Sequence, residues 1–329
     1  MRMFLGGLLI LCLVQTPFAR AQSQGSPDKS LAARTEYIPI ETLTLSDQQF
    51  LTGDKGGGKP VIVAGQLRLA QGPGQSPVVI LVHGSGGVAT NNEMWERWFN
   101  QLGISTFALD GFTGRGLTSL QADQSQLGRL NMIVDVYRSV ALLAKHPGID
   151  RNRIALMGFS RGGQIALYAS VRRFQKLWNE SGIEIAAYIP LYAQCYEGYI
   201  DDSDVSGPIR LFHGVPDDYN PIAPCRSYVE RLRRAGKDVQ LTEYADTWHV
   251  FDSPTNPITP TALPAAQTVR NCVIKEDRPG HVINATSGEP FSWQDACVER
   301  GVHVAANPVA LKATQDTVKA LLKTVFKLD

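Results

Sequence analysis

An excess of charge of either sign is missing from this sequence: 32 lysines and arginines face 31 aspartates and glutamates, a formal net charge of +1. Such a chain sets up no long-range field to gather nucleic acid or anionic lipid, and a small-molecule partner is expected instead. Long apolar runs are missing too. The run over residues 5–14 is far shorter than the roughly 20 residues that cross a bilayer, so no permanent membrane anchor is expected. Cysteine is sparse, five in 329 residues with no C-x-x-C pair, and the six histidines are scattered. Zinc-ligand spacing is therefore absent. There is no internal repeat, and hydrophobic residues make up an ordinary 43%, enough for one large globular domain.

What is present begins with an address. Met1-Arg2 precede the apolar run, and Ala19-Arg20-Ala21 follow it, the pattern of a secretory signal peptide cleaved after Ala21. The expectation is export to the periplasm or the exterior, with residues 1–21 removed and 22–36 left as a flexible N-terminus. Cys12 leaves with the signal. Cys195, Cys225, Cys272 and Cys297 remain, an even number suited to disulfides in an oxidising compartment. Three connectivities are open; Cys195 with Cys225 and Cys272 with Cys297 gives the shorter loops.

From residue 37 onward, β-rich runs alternate with helical periodicity. Strands are predicted over 61–69, 78–82, 106–109, 154–157, 187–191, 209–212 and 239–244, and helices over 93–102, 126–145, 162–174, 224–235 and 308–328. Several strands are unbroken apolar runs, as buried parallel strands are. This alternation implies an α/β fold, a doubly wound, mostly parallel sheet with helices on both faces, as one domain over 37–329. Residues 253–306, rich in Pro and Asn and holding Cys272 and Cys297, read as an irregular cap or lid-like insertion before the last helix.

The sharpest motif is Gly158-Phe159-Ser160-Arg161-Gly162-Gly163, between a predicted strand and a predicted helix. G-x-S-x-G in that setting places serine on a tight strand-to-helix turn, exposed to attack an acyl carbon. A serine hydroxyl needs a base, and His249 lies on the loop beyond the last predicted strand, completing the chain order Ser, Asp, His. The orienting carboxylate belongs after the strand at 209–212, where Gly214-Val215-Pro216-Asp217-Asp218 offers two neighbours. Asp217 has the better spacing, and Asp218 stays open. An oxyanion hole needs two backbone donors: Arg161 follows the nucleophile, and Ser85 or Gly86 in His83-Gly84-Ser85-Gly86-Gly87 follows an early strand. That glycine-rich loop lacks the Lys-Ser/Thr pair of a nucleotide phosphate loop.

With these residues in place, the chain resembles the dienelactone hydrolase family of α/β hydrolases over roughly 37–251. The loop at 83–87, Asp110-Gly111-Phe112-Thr113-Gly114-Arg115-Gly116, the motif at 158–163, and the Asp217 and His249 loops carry the resemblance. It implies an α/β-hydrolase fold, the Ser, Asp and His roles, and cofactor-free hydrolysis of an ester or related acyl bond. The family's dienelactone hydrolases use cysteine as nucleophile, where this sequence has Ser160. A peptidase or acyltransferase with the same triad, and a catalytically silent ligand-binding protein, are the alternatives. Arg115 is a candidate to bind a substrate carboxylate, against the reading that it pins its own loop. Trp248, beside His249, is a candidate pocket wall.

Overall fold

The apolar runs become buried strands of one eight-stranded sheet in the computed structural model, which describes residues 28–328. The first half of the chain supplies β1 (Arg34–Thr44), α1 (Asp47–Thr52), β2 (Lys59–Leu69), β3 (Ser76–Val82), α2 (Thr90–Gln101), β4 (Ser105–Asp110), α3 (Met132–Leu143) and β5 (Ile149–Phe159). Next come α4 (Arg161–Tyr168), α5 (Arg172–Trp178), β6 (Tyr188–Leu191), β7 (Glu197–Gly198), β8 (Ile209–Gly214), α6 (Ile222–Arg234) and β9 (Val239–Tyr244). The chain ends with β10 (Thr261–Thr268), β11 (Ile274–Arg278), β12 (His281–Asn284), β13 (Glu299–Val304) and α7 (Pro308–Phe326). The large sheet runs β1-β2-β4-β3-β5-β6-β8-β9, antiparallel at β1-β2 and β2-β4 and parallel beyond.

Alternating residues of β3 show why the strand is apolar throughout. Val78, Ile80 and Val82 enter the core packed by α3 and α4, while Val79 and Leu81 enter the core packed by α2 and α7. A strand covered on both faces has no solvent-facing positions to fill with polar residues. All the parallel strands point their carboxyl ends the same way, and open α/β sheets carry their ligand sites there.

The fold departs from expectation in four places. Strand β1 begins at Arg34, inside the segment expected to be flexible, because it pairs along its full length with β2. Helix α1 was not anticipated from the sequence; Ser46 and Gln49 cap it reciprocally. The helical run at 162–174 is two helices, since Val171 adopts an extended conformation and bridges Val205. The insertion is not irregular: β10 pairs with β13, and β11 pairs with β12 and β7. Its strands are short and mix buried with exposed positions, so they lack the apolar runs that mark the core strands.

Two disulfides, Cys195–Cys225 and Cys272–Cys297, follow the shorter-loop pairing. The first joins the β6–β7 connection to α6, and the second closes a loop within the insertion. Among the described residues no helix is long and apolar enough to cross a membrane. The signal peptide expected at 1–21 lies outside the described residues.

Candidate active site

Ser160 stands between β5 and α4 with φ 55° and ψ −112°, a conformation that side-chain-bearing residues rarely adopt. The flanking glycines make that turn possible. A Cβ on Gly158 would lie 1.9 Å from the Gly162 carbonyl oxygen, and one on Gly162 would lie 2.0 Å from the Val82 carbonyl oxygen. Any side chain at either position would force the strands and helix apart. Ser160 itself stays partly exposed, at the N-terminus of α4.

His249 follows β9, with its ring almost fully buried. Its Nε2 lies 2.9 Å from Ser160 Oγ, and its Nδ1 lies 2.7 Å from Asp217 Oδ2. The carboxylate accepts only from a protonated Nδ1, which leaves the Nε2 lone pair facing the serine hydroxyl. Asp217 sits beyond β8 and is buried. Its Oδ1 accepts the main-chain N–H groups of Tyr219 and Asn220, each at 2.9 Å. Burial opposes ionisation of this carboxyl, but the positive charge available on His249, the hydrogen bond from its ring and the nearby His213 outweigh it, holding the group well below the usual carboxylate range.

Asp218, the alternative, points elsewhere. Its carboxylate accepts the main-chain N–H and the Nδ1–H of His303 on β13, each at 2.8 Å. One aspartate thus orients His249 while its neighbour ties down the insertion.

The loop at 83–87 passes beside Ser160: a Cβ on Gly84 would lie 3.3 Å from the Ser160 Cβ. Ser85 and Gly86 both line the cavity over the serine. His83, fully buried, donates from Nδ1 to the Gly84 carbonyl at 2.8 Å and accepts the Gly111 N–H on Nε2 at 3.2 Å. Burial pushes its pKa down, consistent with a neutral ring that shapes the loop. The Arg161 side chain turns away from the cavity to Gln124 and the carbonyls of Leu127 and Gly128, and burial lowers it to about 10. Its main-chain N–H opens α4 next to the serine.

Two candidates are not at the cavity. Arg115 is buried against Asp135 in a two-pronged pair at 2.8 and 2.9 Å, and also donates to Thr44 and to the carbonyls of Leu43 and Gly111. With its donors engaged it has no hand free for a substrate carboxylate, and it pins its loop through Asp135 on α3. Trp248 is half-buried with its ring 5.6 Å from His303, on the side away from the cavity lining.

Several residues of the site carry no mark in the sequence. Tyr192 and Tyr219 flank the His249 ring, each with its centroid 4.7 Å away. The Tyr192 hydroxyl donates at 2.7 Å to the buried Asp252, which also accepts Trp95 Nε1–H at 2.8 Å. Leu263 on β10 and Val304 on β13 close the cavity from the insertion. Isolated tyrosines and aliphatic residues in short strands have no pattern that points to a site.

Residues 63–274 match the dienelactone hydrolase family. Among curated proteins, probable carboxylic ester hydrolase LipM of Mycobacterium tuberculosis is 26% identical over 163 residues, covering 36% of this chain and 38% of that protein. The chain thus spans about two fifths of the length of that relative. Among solved structures, a dienelactone hydrolase-like promiscuous phosphotriesterase from metagenomic libraries aligns with a TM-score of 0.56 at 13% identity, covering 88% of this chain and 98% of that one. A protein called m3DLH aligns with a TM-score of 0.54 at 19% identity, again covering 88% and 98%. At such identities the structural likeness speaks for the shared fold.

Proposed function

The chain belongs to the dienelactone hydrolase family, and from that premise we propose that it hydrolyses carboxylic esters of small molecules through an acyl-enzyme on Ser160. The observation that carries this reading is the hydrogen-bonded line from Ser160 through His249 to Asp217. Ser160 Oγ attacks the ester carbonyl as His249 Nε2 takes its proton. Asp217, ionised and buried, fixes the Nδ1–H tautomer and stabilises the imidazolium that forms. The main-chain N–H of Arg161 and that of Ser85 or Gly86 donate to the carbonyl oxygen as it gains negative charge. His249 then returns the proton to the departing alcohol, and a water activated by the same imidazole releases the acid. Every proton in this cycle moves through one ring, and no cofactor enters.

A burst experiment tests the two-step scheme. Mixing the protein with p-nitrophenyl acetate is expected to release p-nitrophenol rapidly, to about one equivalent of enzyme, before a slower steady phase, and Ser160→Ala removes both phases. Turnover that survives Ser160→Ala would overturn the proposal.

A further inference from the structure

The cavity over Ser160 is small. Its volume is about 100 Å³, against roughly 300–1,000 Å³ for ordinary ligand pockets. An apolar cavity of about 150 Å³ holds one benzene, so this one has space for about four non-hydrogen atoms beside the serine. A larger groove of about 540 Å³, lined in part by Gln66, Arg68 and Glu96, shares Ala89 with the cavity but includes neither Ser160 nor His249.

The walls are fixed from both sides. Tyr192 is anchored by its hydroxyl to Asp252, and Tyr219 accepts from Gln124 Nε2 at 3.3 Å. Leu263 and Val304 come from the insertion, which is clamped to the rim of the core. Gln267 N–H donates to the Gln121 carbonyl at 2.7 Å, Gln124 N–H donates to Gln267 Oε1 at 2.8 Å, and Arg300 spans the Ala122 and Ala265 carbonyls at 2.7 and 2.8 Å. The backbone of Val304 bridges that of His249, and Ala305 N–H donates to the His249 carbonyl. A wall held by backbone hydrogen bonds cannot retreat for a longer chain without breaking them.

We infer that the protein acts on esters of short, unbranched acids, with an acyl group of about two or three carbons, and that Leu263 and Val304 set the limit. The inference rests on the ester-hydrolase reading above. In this inference the acyl group takes the space beside Leu263 and Val304, so the size limit falls on the acyl side. An ester hydrolase lacking the β10–β13 pair would have no wall at these positions.

The test is a series of p-nitrophenyl esters from acetate to octanoate, run on the wild type, Leu263→Ala and Val304→Ala. Each methylene that does not fit costs about tenfold or more in kcat/KM, so octanoate is expected to fall at least about 100-fold below acetate. Leu263→Ala, which removes part of the wall, should narrow the acetate-to-octanoate ratio of kcat/KM by about tenfold. Wild-type turnover of octanoate equal to that of acetate overturns the inference. So does an acetate preference that neither variant alters. Methanesulfonyl fluoride, small enough for the cavity, separates the two levels of failure. Sulfonylation of Ser160 with octanoate cleaved as fast as acetate refutes the acyl-size inference alone, whereas folded protein that hydrolyses no ester of the series refutes the ester-hydrolase reading with it.

Discussion

The strand ends of the central sheet and the insertion at 253–306 meet at one cavity but are held in different ways. Ser160 and Asp217 stand on turns after β5 and β8, strands buried on both faces, and His249 follows the edge strand β9. Leu263 and Val304 stand on a two-stranded sheet that packs a small apolar cluster against Tyr219 and is tied down by polar contacts, among them His303 to Asp218 and Arg300 to two carbonyls. The serine and aspartate turns thus rest on the large core, while the insertion wall rests on a small apolar cluster and many hydrogen bonds. Adjacent residues Asp217 and Asp218 mark the boundary, one facing each region.

That division has consequences that can be measured, the largest at the reacting atoms. Replacing Asp217 by Asn should lower kcat by about 10⁴-fold, since the imidazole loses its correct tautomer. Asp218→Asn should leave kcat within about tenfold and cost about 1 kcal/mol of stability through the lost His303 contacts. Parallel kinetics and melting curves on the two variants decide this, and equal losses of kcat would erase the boundary. Arg115→Ala strands the buried Asp135 carboxylate and should cost about 3–5 kcal/mol in denaturant unfolding. In the fraction that stays folded, KM should not change; a rise in KM would return Arg115 to the substrate.

The disulfides probe the two regions separately. Their Cys residues are 30 and 25 positions apart, and closing loops of that length contributes about 3–4 kcal/mol each in the chain-entropy account. Replacing Cys195 and Cys225 by Ser should lower the Tm of the whole domain. Replacing Cys272 and Cys297 by Ser should expose the insertion to proteolysis first, which limited digestion would reveal.

A pH-dependent effect lies at Glu96 on α2, next to Arg68. Burial raises its carboxyl to about 7, above its ordinary value of 4.5. The folded chain therefore holds this proton more tightly than the unfolded one. The resulting stability is complete below about pH 4.5 and is lost as pH rises through about 7, a change of at most about 3 kcal/mol. Glu96→Gln should flatten stability across that window, as denaturation at several pH values would show. An unchanged slope would assign the pH dependence to other groups.

The sequence made the core legible and the insertion opaque for the same physical reason. Strands covered on both faces need continuous apolar runs, and glycines two residues either side of Ser160 are required by contacts shorter than any side chain allows. Chain order then pointed to His249. Spacing alone left Asp217 and Asp218 as rivals, because neighbouring carboxylates on a turn diverge only in three dimensions. Arg115 was ambiguous because its partner, Asp135, lies twenty residues away on a helix with no marking of its own. The strands of the insertion are short and only partly buried, so they leave no apolar pattern, and the tyrosines beside His249 resemble ordinary core residues until the ring contacts are known.

Covalent labelling addresses the nucleophile most directly. The protein, its Ser160→Ala variant and its His249→Ala variant would be treated with a fluorophosphonate of small alkyl groups and mapped by peptide mass spectrometry. The expected result is one adduct, on Ser160, absent in Ser160→Ala and strongly slowed in His249→Ala. Folded wild-type protein that gains no adduct, or gains it on another residue, would contradict an activated Ser160.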